Sequence, residues 1–206
     1  MSRGHALPGG LPWVPTALAS GVLLVVAFEL WSVPTLQERV VRDGVLFLLL
    51  PLALGALVGR RLGWQVDRRA LVVAVALTLF IVPIYVVGST LPSVRAGYPM
   101  GGPLPDGGFA QRALTLTILV VATETLYRGL LCVGIREIGP ISVLVSPVLY
   151  TLQHLGGVPL AVLLSAPADV LFGASDYYAD SILPSIVAHT AGLVLLEWLT
   201  RQPPLF

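Results

Sequence analysis

In the stretch Ala122-Thr123-Glu124-Thr125-Leu126-Tyr127-Arg128-Gly129, a carboxylate and a guanidinium stand four residues apart in otherwise apolar or small surroundings. On a helix that spacing puts Glu124 and Arg128 on one face, within reach of each other. An ionisable side chain inside a membrane helix costs about 2.5–3.5 kcal/mol on insertion scales, so it persists where it has a partner or work to do. The pair alone has two readings: it neutralises itself and fixes packing, or it is a tuned base. Burial favours the neutral acid and a neighbouring guanidinium favours the carboxylate, so the balance between them sets a base. Of the three histidines in the chain, His154 and His189 fall at or near the ends of two further apolar stretches. A single membrane histidine commonly serves as a helix-to-helix hydrogen-bond donor. Two of them with a carboxylate, on three neighbouring helices, read as a site in which an imidazole shares the proton or holds a water. The same three residues are also a conceivable zinc set, and the two histidines alone a pair of axial haem ligands.

These residues need a scaffold, and composition says which medium holds it. The chain has 206 residues, 56% of them hydrophobic and 11% charged, and a net charge of +1; its mean hydropathy is +0.88. That lies outside the range of soluble domains and predicts an all-α, polytopic transmembrane helical bundle. Nucleic acid is excluded as a partner, because no basic cluster of the required kind is present. A single cysteine, Cys132, permits neither an intrachain disulfide nor a multi-cysteine metal site.

A bilayer core takes about 20 apolar residues per helix, and about seven membrane segments follow. They are expected near Trp13–Trp31, Gly44–Val58, Ala70–Val87, Ala113–Ile135, Ile141–Leu155, Val158–Phe172 and Ile182–Leu199. The first has tryptophans at both ends, only Arg3 ahead of it and no small-residue cleavage site after it, and reads as a retained anchor. Pro147 and Pro167 interrupt the fifth and sixth, and the sixth is the candidate for a re-entrant segment. The Gly/Pro-dense run RAGYPMGGPLPDGG, Arg95 to Gly108, cannot continue a helix. Residues 1–94 therefore form an N-terminal unit of three helices, 95–110 a loop, 111–200 the core that carries the chemistry, and 201–206 a tail. Arg60, Arg61, Arg68 and Arg69 place the loop between segments two and three, and with it the N-terminus, on the cytoplasmic side, against a weaker opposing bias from Arg39 and Arg42.

The order and context of the polar residues resemble the CAAX prenyl protease and bacteriocin-processing (CPBP, or Abi) family of glutamic-type intramembrane endopeptidases. That family's first motif, two glutamates followed by arginine and glycine, is similar to Thr123-Glu124-Thr125-Leu126-Tyr127-Arg128-Gly129. Its second, phenylalanine with histidine four on, is similar to Tyr150-Thr151-Leu152-Gln153-His154, and its third, histidine with asparagine four on, to His189-Thr190-Ala191-Gly192-Leu193. The resemblance spans about Thr115 to Glu197. It departs at Thr123, where the family has its first glutamate, and at Leu193, where it has asparagine. What it implies is a catalytic set of Glu124, His154, His189 and Arg128. Glu124, helped by His154, would take a proton from water, His189 would stabilise the oxyanion, and Arg128 would hold Glu124. No metal or other cofactor is required in that scheme; zinc is the alternative, disfavoured because no HExxH pair is present.

Three further residues are candidates for substrate binding. Asp169, beside Pro167, is placed to line the same cavity, and Tyr127 and Tyr150 can hydrogen-bond within it. Ser165 and Ser185 have no nucleophile context, and Glu29 and Glu197, near helix ends, are expected to reach the interface. The expected function is cleavage of a membrane-tethered or membrane-inserted protein or peptide in the lipid bilayer, at a bacterial inner (cytoplasmic) membrane, with protein sorting and prenyl-protein processing as the two settings the resemblance implies. The alternative is a catalytically inactive relative that binds a peptide as an immunity or scaffold protein, a reading that Thr123 and Leu193 favour. Transport is disfavoured, since no inverted repeat is visible.

Overall fold

The computed structural model describes residues 12–100, 102–155 and 159–204. Arg3, Val158 and the end of the 201–206 tail, which figure in the sequence reading, lie outside them. The regular elements are helices: α1 (Trp13–Leu30), α2 (Leu36–Leu57), α3 (Arg68–Gly88), the short α4 (Pro92–Gly97), α5 (Gly108–Leu130), α6 (Val133–His154), α7 (Pro159–Ala179) and α8 (Leu183–Leu199). Five of them, α1, α2, α3, α5 and α6, are long and apolar enough to cross a membrane, and α8 is a shorter apolar helix. The chain is a polytopic helical membrane protein.

Local chemistry accounts for several boundaries. Thr35 and Glu38 form a reciprocal capping box at the start of α2, which carries the helix eight residues further toward the N-terminus than its apolar run suggests. Asp67 accepts from the Ala70 N–H at 2.7 Å and starts α3. α6 begins in tight turns and is broken at Gly139, whose φ of 77° and ψ of −163° suit glycine alone. Pro140 follows, and the residue before a proline avoids the helical region. α7 differs from expectation. It runs through Pro167 as one 21-residue helix, about 32 Å long, rather than as a broken or re-entrant element.

Two packing centres hold the bundle. Trp13 and Ala17 of α1 and Phe47 of α2 pack around Leu126, Tyr127 and Leu130 of α5, and the Trp13 indole N–H donates to the Gly134 carbonyl at 2.7 Å. α3 runs along α8, with Leu77 and Ile81 against Ala188 and Phe172. Closest approach is at Gly192, where an added Cβ would lie 2.3 Å from the Tyr85 ring. Leu71, Val72, Val75, Leu79 and Phe80 on the outer side of α3 are exposed, as an apolar surface meant for lipid rather than water would be.

Candidate active site

α5 presents the central carboxylate. Its α-helical part ends at Glu124 and the next six residues, Thr125–Leu130, widen into a π-helical turn, a distortion that often marks functional positions. The widened turn lets Gly129 lie against the loop that joins α2 and α3: a Cβ on Gly129 would be 3.1 Å from the Leu62 carbonyl oxygen. Through this stretch Glu124 and Arg128 stay aligned, with Arg128 Nε 3.1 Å from Glu124 Oε2.

Three more helices complete the arrangement. From α8, His189 Nδ1 lies 2.6 Å from the other carboxylate oxygen, Oε1. From α7, Asp169 ion-pairs with Arg128 Nη1, and from α6 the Ser146 hydroxyl donates to Asp169. The Arg128 guanidinium also faces the rings of Tyr150, at 5.1 Å, and Phe172, at 5.6 Å. Glu124, Arg128 and Asp169 are fully buried, whereas the His189 side chain keeps 13% of its surface open. The imidazole is thus the member of the chain Ser146–Asp169–Arg128–Glu124–His189 that meets open space. Chemically, this is a carboxylate held on one side by a fixed cation and on the other by a group able to carry a proton either way.

The two histidines are not equivalent. His154 Nδ1 bonds the Tyr150 carbonyl of its own helix at 2.9 Å; because a carbonyl only accepts, Nδ1 carries the hydrogen and Nε2 is left as acceptor. Its ring lies tilted against that of Tyr150, with centroids 4.5 Å apart, and the Tyr150 ring also faces Arg128. Glu124 bonds His189, whereas the sequence reading has it helped by His154; the packing of α8 against α5, which residue order leaves open, decides this contact. Tyr127 is fully buried with its hydroxyl donating to Gln153, and Asp169 is engaged by Arg128 rather than facing an open cavity.

Thr123 is half-buried beside Glu124. Leu193 is buried and packs with Leu116 and Val120 beneath Tyr98 and Met100. Glu197 does not reach the interface: it is fully buried, accepts from the Met100 N–H at 2.8 Å and pairs with Arg201 at 2.5 Å. Ser146 and Asp176 escaped the sequence reading. The seven-residue spacing of Asp169 and Asp176, two turns on one helical face, was the available signal. Among the described residues, no group of three or more His, Cys, Asp or Glu side chains is placed to hold a metal ion.

A helical membrane bundle with an interior carboxylate, guanidinium and imidazole on separate helices defines the class. Within it, residues 106–193 match the family model described as type II CAAX prenyl endopeptidase Rce1-like, consistent with the CPBP family. The matched stretch contains every member of the network. At family level this supports a CAAX-type intramembrane protease, for which the lipid bilayer and a protein substrate are the implied partners. No curated protein and no solved structure matches the chain.

Proposed function

We propose that the chain is an intramembrane endopeptidase that cleaves a membrane-tethered or membrane-inserted protein with water activated by Glu124. The observation that carries this reading is the fully buried Glu124 held between Arg128 and His189, inside the stretch that matches the endopeptidase family. In the reaction, the Glu124 carboxylate accepts a proton from a water molecule, whose oxygen attacks the peptide carbonyl carbon. The tetrahedral intermediate then collapses, the C–N bond breaks, and the proton passes to the leaving amine. His189 is hydrogen-bonded to Glu124 and partly open, so it is suited to relay that proton or to donate toward the oxyanion. Arg128 orients the carboxylate. His154, whose ring contacts Tyr150, is assigned to substrate or water positioning. The scheme needs no metal. Membership of a bacterial inner membrane, with the arginine-rich loop at 60–69 facing the cytoplasm, belongs to the same proposal and rests on the charge bias alone.

A second reading is favoured by Thr123 and by the apolar, buried Leu193: a relative that binds a peptide without cleaving it. One experiment separates them. The protein purified in detergent is incubated with tethered candidate substrates, and cleavage is compared with that of Glu124→Gln, His189→Ala, His154→Ala and Thr123→Ala. General-base loss should lower kcat by about 10²–10⁴-fold for Glu124→Gln, with His189→Ala more damaging than His154→Ala and Thr123→Ala retaining cleavage. Binding of substrate without cleavage by the wild type would hand the case to the second reading.

A further inference from the structure

Asp176 is fully buried on α7; it feels the charges of Glu124 and Arg128, but among the described residues it forms no direct ion pair with Arg128, whose partners are Glu124 and Asp169. Asp176 Oδ1 accepts the Ser185 backbone N–H at 3.0 Å, while its other oxygen has no hydrogen-bond partner among the described residues. Ser185 lies in the first turn of α8, and no side chain of the helix's own N-cap residue, Ile182, caps that end. The first N–H groups of a helix have no intrahelical acceptor, and the helix dipole favours a negative charge there. A carboxylate borrowed from the neighbouring helix therefore does what an N-cap side chain ordinarily does. Ser185 precedes His189 by four residues, so the anchored N–H and the imidazole rise from the same face of α8.

The turn that enters α8 is fixed from the other side as well. The Ile182 N–H donates to the Gly63 carbonyl at 3.0 Å, and the Ser181 hydroxyl to the Gln65 carbonyl at 2.6 Å. Those contacts tie the start of α8 to the loop between α2 and α3. The Asp176 carboxylate ties the first turn of α8 to α7, the helix whose Asp169 holds Arg128 and whose Phe172 packs on Ala188 and His189.

We infer that Asp176 is a positioning residue: by accepting the Ser185 N–H it sets the rotation and height of α8 so that His189 meets Glu124. The inference rests on the proposed catalytic pairing, but its geometry can be read without any substrate. With only three histidines in the chain, imidazole ¹⁵N labelling gives a sparse spectrum in which the His189 signal is assigned by its loss in His189→Asn. Its hydrogen bond to the carboxylate is recognised by the shift that Glu124→Gln causes.

Asp176→Leu, which removes the acceptor, should displace the His189 signal as Glu124→Gln does. Where cleavage is measurable, it should also lower kcat by about 10²-fold with KM changed less than about threefold, the cost of a misplaced catalytic group. Asp176→Asn keeps the carbonyl acceptor and should leave the signal in place. An unmoved His189 signal in Asp176→Leu overturns the inference, as does an equal displacement by Asn and Leu, which would make charge and not the N–H contact the cause. If Asp176→Leu does not accumulate as folded protein, the smaller Asp176→Ala, which also removes the acceptor, takes its place: a displaced His189 signal supports the role and an unmoved one refutes it. A wild type that cleaves nothing while the His189 signal follows this pattern refutes the protease reading and leaves the positioning role standing.

Discussion

Arg128 should be the most costly single residue of the site to remove, and the cost can be worked from its contacts. Its guanidinium has no exposed surface and two carboxylate partners, Glu124 and Asp169. Arg128→Met fills a similar volume but leaves both carboxylates buried without their cation. Breaking a buried pair by removing one partner costs about 3–5 kcal/mol, a large share of the 5–15 kcal/mol that separates typical folded and unfolded states. At about 2–4 °C per kcal/mol for a chain of this size, the midpoint should fall by about 6–20 °C. The assay is tryptophan fluorescence during heating in one detergent at one scan rate, with the four tryptophans as probe. Arg128→Lys should fall between, because an ammonium on a shorter stem cannot bridge both carboxylates. The discriminating variant is the triple Arg128→Met, Glu124→Gln, Asp169→Asn. If uncompensated charge is the cause, neutralising all three should restore most of the loss. Arg128→Met melting within 2 °C of the wild type, or a triple variant no better than the single one, would refute the reasoning; the thresholds follow from the same conversion.

Two other substitutions test the frame around the site. Gly192→Ala puts a Cβ 2.3 Å from the Tyr85 ring, and overpacking of this kind costs about 1–3 kcal/mol; the melting midpoint should fall, and Tyr85→Leu in the same chain should recover it. Glu197→Ala removes the acceptor that holds the Met100 N–H and Arg201, a loss of about 1–3 kcal/mol. Limited proteolysis between Tyr98 and Arg112 should speed up in that variant while cleavage elsewhere in the chain does not.

Much of this was legible in the residues. Uncharged runs located the membrane helices because lipid leaves few other ways to satisfy a backbone, and the four-residue spacing of Glu124 and Arg128 survives into a 3.1 Å contact. What was not legible depends on packing between distant segments. His154 and His189 look alike in the sequence, yet one bonds its own helix and the other the carboxylate. Glu197 near a helix end suggests an exposed acid, until Met100 comes back over it and supplies its N–H. Pro167 suggests a break in α7, but a helix tolerates an interior proline when its neighbours hold both halves in line. Asp176 shares a face with Asp169, but only the fold reveals that this face looks toward the first turn of α8.

The two departures from the family pattern bear on the same electrostatic arrangement. Arg128 already serves two buried carboxylates, so the described ion chain sets Glu124 and Asp169 against one fixed cation, with His189 bonded to Glu124 at its open end. A glutamate in place of Thr123 would add a third acid next to that chain and demand a further proton or cation, since buried unpaired charge is so costly. With threonine there, Glu124 has no carboxylate neighbour in sequence to share a proton with, and His189 becomes its natural exchange partner. Leu193 points the same way. Its surroundings, Leu116, Val120, Tyr98 and Met100, are apolar and closed, so an amide at that position would face no open space in this packing. Any stabilisation of an oxyanion must then come from His189 or from backbone N–H groups, which concentrates both halves of the proposed chemistry, base exchange and charge stabilisation, on one imidazole and on the contacts that aim it.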